Sequence, residues 1–170
     1  MSLKDKLKGK SNAEILNALG RSRKSAYLIY KSSIKYNFNK GIELALEKGA
    51  AKSPSIMSYC VREGKGNLEE VKRLVDAGVV IDAKNNKAFC EAIYKKHVEI
   101  ISFLIDKGVD VNFPDGEPLL TALKRGNKEI IDLLIENGAK YNRINKRRFN
   151  RALPFFNNDI KNRLRDDGIV

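Results

Sequence analysis

Apolar residues recur along this chain at helical spacing, and one helical phrase returns every thirty residues. Val71, Leu74 and Val75 are echoed by Ile101, Leu104 and Ile105, and again by Ile131, Leu134 and Ile135. Positions i, i+3 and i+4 share one side of an α-helix, so each triplet predicts a short helix with a single buried stripe. Each stripe closes on a glycine. Gly49, Gly78, Gly108, Gly138 and Gly168 fall at intervals of 29, 30, 30 and 30 residues. A glycine there supplies the left-handed residue that ends a helix. A shorter apolar phrase comes before each long one: Phe89/Ala92/Ile93, Leu119/Ala122/Leu123 and Phe149/Ala152/Leu153. The alanine in each lets neighbouring helices approach closely. Asn85, Asp115 and Asn145 repeat at the place where an N-cap is needed. The predicted unit is loop, helix, turn, longer helix, glycine. Such a period marks a stacked repeat protein, whose units bury their apolar faces only against one another.

The second-helix starts Gly66-Asn67-Leu68-Glu69, Lys96-His97-Val98-Glu99-Ile100-Ile101 and Gly126-Asn127-Lys128-Glu129-Ile130-Ile131 carry a recognisable motif. So do the exits Gly108-Val109-Asp110-Val111-Asn112 and Gly138-Ala139-Lys140-Tyr141-Asn142. On these residues the chain resembles the ankyrin repeat family over about 37–168, most closely over 66–142. The resemblance implies an all-α helical-repeat solenoid of about five units that binds other proteins. Two departures stand out. The family's Thr-Pro-Leu-His opening survives only as Glu117-Pro118-Leu119-Leu120. The repeat is three residues short of the usual 33, and the deficit lies between the glycine and the first helix. The projecting finger is therefore trimmed, which moves the expected binding surface onto the first helices.

The chain of 170 residues is read as one domain: an N-terminal helical cap and degenerate first helix over 1–36, core repeats over 37–142, and a capping repeat over 143–170. Ser11-Asn12-Ala13-Glu14 has the capping-box pattern ahead of Ile15, Leu16 and Leu19, with Gly20 as stop. Ile42, Ala45 and Leu46 run to Gly49 as a degenerate repeat. Pro54 is placed at the start of a first helix, and Pro154 is expected to end one early.

Charge divides the chain. The net charge of +12 splits into +8 over residues 1–52, −2 over 53–138 and +6 over 139–170. Basic ends fit solubilising caps or flanks for an acidic partner. No run of 18 apolar residues occurs, so no membrane span is expected. Met1–Lys10 lacks the apolar core of a secretory signal, which places the protein in the cytoplasm. Cys60 and Cys90 read as buried free thiols of a reducing compartment.

No catalytic constellation emerges. The lone histidine, His97, falls at a helix start, where a turn-stabilising role is expected. Glu69/Glu70 and Asp166/Asp167 are adjacent on helices and read as solvated charges. No metal-ligand spacing and no phosphate-binding loop is present, so no cofactor is expected and the protein is read as a non-enzyme.

The expected binding surface follows the thirty-residue register. Loop positions are Lys84, Phe113 and Arg143. First-helix positions are Lys87/Glu91/Lys95, Glu117/Thr121/Arg125 and Arg147/Arg151/Phe155, with Tyr94 aligned to Lys124. Phe113 beside Pro114 is the candidate aromatic anchor, or else folds back on its neighbour. Arg143, Lys146, Arg147, Arg148 and Arg151 make a basic patch suited to carboxylates. The expected partner of this set (Lys84, Lys87, Glu91, Tyr94, Lys95, Phe113, Thr121, Lys124, Arg125, Arg143, Arg147, Arg148 and Arg151) is a protein with an acidic surface. The protein is expected to be a monomer when free and to serve as adaptor or inhibitor, in keeping with a bacterial, phage or viral protein acting on a host factor. The alternative partner is nucleic acid, gripped by Lys4, Lys6, Lys8, Lys10, Arg21, Arg23 and Lys24 and stacked on Tyr27 and Tyr30.

Overall fold

The computed structural model describes residues 11, 14, 17, 26–35, 38–53, 55–64, 67–81 and 86–170. They contain helices and turns, with no strand among them. The chain divides into two compact units, Met1–Val80 and Ile81–Val170.

In the first unit the capping box forms as the sequence predicts. The Ser11 amide donates to Glu14 Oε2 at 2.8 Å, and the Glu14 amide donates to Ser11 Oγ at 3.4 Å. The apolar positions that follow it, and the stop at Gly20, lie outside the described residues, as do Pro54, Lys65 and Gly66. Helix α1 (Ala26–Lys35) pairs with α2 (Asn39–Glu47), and α3 (Ile56–Glu63) pairs with α4 (Leu68–Asp76). Helix α1 packs on both α2 and α3. Ile29, Tyr30, Ile42, Ile56, Met57, Val71 and Leu74 are sealed inside.

One residue here overturns its sequence reading. Glu69 is exposed and pairs with Lys72 at 2.9 Å, but Glu70 is only 6 % exposed. The thirty-residue register sets Glu70 where the following repeats carry the buried residues Ile100 and Ile130. It therefore belongs to the inward stripe. Arg73 Nη1 lies 3.2 Å from one carboxylate oxygen, and the other oxygen is buried without a hydrogen-bond partner. Burial pushes the Glu70 carboxyl above its ordinary value, against the pull of Arg73 and with a small push from Glu43.

The second unit contains three helix pairs. They are α5 (Asn86–Lys95) with α6 (Val98–Asp106), α7 (Glu117–Arg125) with α8 (Lys128–Glu136), and α9 (Lys146–Ala152) with α10 (Asn158–Asp166). Helix α5 packs on α6 and α7, and α7 on α8. Ala92 and Ala122 are fully buried, as their recurrence predicts. Gly108 and Gly138 have φ of +88° and +90°. Behind each, the next amide folds back to the helix: Val109 to the Leu104 carbonyl at 3.1 Å, and Ala139 to Leu134 at 2.9 Å.

Asparagine caps start three of these helices. Asn127, Asn145 and Asn157 accept from the amides of Ile130, Arg148 and Ile160 at 3.4, 3.1 and 2.9 Å. Asn85 lies outside the described residues. Asp115 does not cap α7. Gly116 holds the N-cap position, and the Asp115 carbonyl accepts instead from the Asn145 amide at 3.0 Å, tying one loop to the next. His97 stabilises its turn through the backbone alone. Its amide donates to the Ala92 carbonyl at 3.0 Å, and its side chain makes no cap hydrogen bond.

Among the described residues, the trimmed segments after Gly108 and Gly138 form no hairpin. Residues 111–116 are turns, and Tyr141–Arg143 is a 3-10 turn. Asn112 fastens two of these segments together. Its side chain donates to the Gly138 carbonyl at 2.9 Å and accepts from the Lys140 amide at 3.0 Å. Pro154 ends α9 as expected, and Leu153–Phe155 continue as a 3-10 turn.

Candidate partner-binding surface

The expected surface residues all lie in the second unit, and Lys84 alone falls outside the described residues. Four of the others come together. Lys87, Glu91 and Tyr94 from α5 and Thr121 from α7 line a cleft of about 300 Å³, with Cys90 at its wall. Tyr94 is 50 % exposed, and the Arg125 guanidinium sits 4.4 Å from its ring centroid. That stacking joins α5 to α7 across the cleft and orients both side chains. Lys95 and Lys124 are exposed, while Glu91 and Thr121 are half-buried.

The Cys90 thiol is held above its ordinary value. Burial, followed by the Glu117 carboxylate, pushes it up to about 12 against the opposing pull of Arg148, so it stays protonated at neutral pH. Cys90 is half-buried rather than fully so, while Cys60 in α3 is buried as expected. Among the described residues no group of three or more histidine, cysteine, aspartate or glutamate side chains is placed to hold a metal ion. Nor is any helix among them long and apolar enough to cross a membrane.

The structure sorts the cations that the sequence groups together. Arg148 forms an ion pair with Glu117 of the preceding first helix, and Thr121 Oγ1 also donates to Glu117 at 3.4 Å. Arg163 turns inward to Asp132 of α8 and lies 3.5 Å from Asp167. Asp167 also accepts from the Tyr141 hydroxyl at 2.8 Å, so it is engaged rather than merely solvated. Arg143, Arg147 and Arg151, by contrast, are exposed, with no ion pair among the described residues. Arg147 and Arg151 are four apart on α9 and therefore share one side of it.

Phe113 is 39 % exposed, in the turn before α7. Phe155 is 86 % exposed, more than any other large apolar side chain among the described residues. The register marks Phe155 as open, but the helical pattern alone could not show that it leaves α9 on a proline turn. The signal was Pro154, directly before it. For the nucleic-acid alternative, the basic residues up to Lys24 lie outside the described residues. Tyr30 is fully buried and cannot stack on a base. Tyr27 packs edge-on against Tyr59, with ring centroids 6.2 Å apart.

Residues 30–115 and 57–145 match the family described as Ankyrin repeats (3 copies), whose members are in general protein–protein interaction modules. No curated protein matches the chain. The matched residues cover the part of the chain where paired helices alternate with left-handed glycines, and they exceed half of its length. The chain belongs to the ankyrin repeat family.

Proposed function

We propose that this protein is a non-enzymatic interaction module that occupies an acidic surface of a partner protein, as adaptor or inhibitor. The observation that carries this reading is the group Arg143, Arg147 and Arg151, exposed and without ion pairs among the described residues, while Arg148 and Arg163 are engaged. A guanidinium presents a planar fork that matches a carboxylate, so unpaired arginines on one helix side favour a carboxylate-bearing partner. The Tyr94–Arg125 stack adds a rigid aromatic patch next to the α5–α7 cleft. Cys60 and Cys90, as thiols rather than a disulfide, fit a reducing compartment such as cytoplasm.

The test is an affinity capture from native lysate, with and without nuclease, using the full chain and Arg147→Glu/Arg151→Glu. A discrete protein held by the wild type despite nuclease, and lost from the variant, supports the proposal. Equal recovery by both chains removes these arginines from the surface. Recovery of nucleic acid that vanishes on nuclease treatment would favour a phosphate-binding role instead.

A further inference from the structure

We propose that Phe155 is the apolar anchor of this surface. The partner segment it takes is acidic, with a large apolar side chain set among its carboxylates. The proposal rests on the acidic-partner reading above and deepens it.

Two adjacent phenylalanines part company at the end of α9. Phe156 is 4 % exposed and packs edge-on against Phe149, with ring centroids 5.9 Å apart. Phe155 points out at 86 % exposure. The inner ring pins the turn, and the outer ring is displayed by it. The turn is also stiffened from both sides. Pro154 fixes one backbone torsion, the Phe156 amide donates to the Leu153 carbonyl at 3.3 Å, and Lys161 Nζ donates to the Pro154 carbonyl at 3.0 Å. A ring presented by a stiff turn loses little freedom on binding, which is the condition under which burial of an aromatic side chain is converted into affinity.

A single exposed apolar residue is ordinary on a protein surface. What distinguishes Phe155 is its company. Arg151 and Arg147 precede it by four and eight residues, on the helix that leads into its turn, both exposed and without ion pairs among the described residues. The sequence order is thus cation, cation, aromatic at four-residue steps, and an occupant must offer the complement of each. A second copy of the chain does not offer it. The net charge is +12, and this face of a copy would bring arginines against arginines. An acidic segment with one large apolar residue satisfies both kinds of contact. Phe113, the anchor expected from sequence, exposes 39 % of its surface and offers less to bury.

The experiment uses two synthetic peptides of about a dozen residues, rich in glutamate, with either leucine or serine at the centre. Binding to the full chain is read by fluorescence anisotropy at low salt. The leucine peptide is expected to bind the wild type about tenfold or more tighter than the serine peptide. Phe155→Ala should erase that difference and leave the serine peptide unaffected. Arg147→Glu/Arg151→Glu should weaken both peptides. If both bind but leucine confers no advantage, or the advantage survives Phe155→Ala, the anchor assignment falls and the acidic-partner reading stands. If neither peptide binds the wild type, both fall. Sedimentation of the wild type alone completes the test. A dimer lost in Phe155→Ala would reassign the ring to a second copy and overturn the proposal.

Discussion

Glu70 illustrates how much one residue can depend on register. Its neighbour Glu69 is equally acidic and lies in solvent, yet Glu70 occupies the inward stripe filled by Ile100 and Ile130 in the next repeats. A buried carboxylate with one oxygen lacking a partner is costly, and apolar replacement of such groups is commonly stabilising. We expect Glu70→Ile to raise stability by about 1–2 kcal/mol in urea unfolding. The pH dependence gives a second reading of the same residue. Burial lifts the Glu70 carboxyl, so the folded state holds its proton more tightly than the unfolded state does. The stability this group contributes is complete below the ordinary glutamate range and declines as pH rises through the lifted value. The part of that decline that sets in above the ordinary glutamate value of about 4 should disappear in Glu70→Ile; a slope identical to the wild type would show that other carboxyls cause it. The sequence spacing already contained this information, because Glu70, Ile100 and Ile130 are thirty apart. Charge was the more conspicuous feature and masked it.

At the scale of the element, the helices are delimited by local chemistry that reads well from sequence. The glycine exits appear at their expected places with positive φ. Their demands differ, however. A methyl group on Gly138 would meet open space, so Gly138→Ala faces only the left-handed backbone, a cost of about 1–2 kcal/mol. On Gly116 the same methyl group would stand 2.7 Å from the Ile144 backbone. Thermal unfolding should therefore show Gly116→Ala to be the more damaging of the two. The caps divide in the same manner. Asn127→Ala and Asn157→Ala should each cost about 1 kcal/mol by loss of a side-chain acceptor. His97→Ala at the equivalent position should cost much less, since that turn is held through the backbone. Equal losses at all three would mean that the imidazole contributes after all. Asp115 misled the sequence reading because its residue type suits a cap. The loop geometry put Gly116 there and turned the Asp115 carbonyl toward Asn145 instead.

At the scale of the whole molecule, composition located the positive charge but not its availability. The last 32 residues carry a net +6, and the structure divides their arginines between internal pairs and open surface. This division predicts a separation of stability from binding. Arg148→Glu places a carboxylate beside Glu117, and the thermal midpoint should fall, with a cost of about 1 kcal/mol. Arg147→Glu/Arg151→Glu should leave the midpoint nearly unchanged and weaken capture of an acidic partner. Raising ionic strength past the point where the Debye length drops below about 8 Å should weaken that capture as well. An interface insensitive to salt would place the recognition in apolar contacts alone.

By itself the sequence determined the repeat, the helical class, the glycine exits, the cap at Asn145 and the closely packed alanines. These features depend on residues close together in the chain, where periodicity and capping chemistry act directly. Only the tertiary structure decided that Arg148 belongs to Glu117 and that Arg125 covers Tyr94. Each of those outcomes depends on a neighbour from another helix or turn. Register says which positions correspond, but the partner that reaches a side chain is settled by how adjacent helices pack.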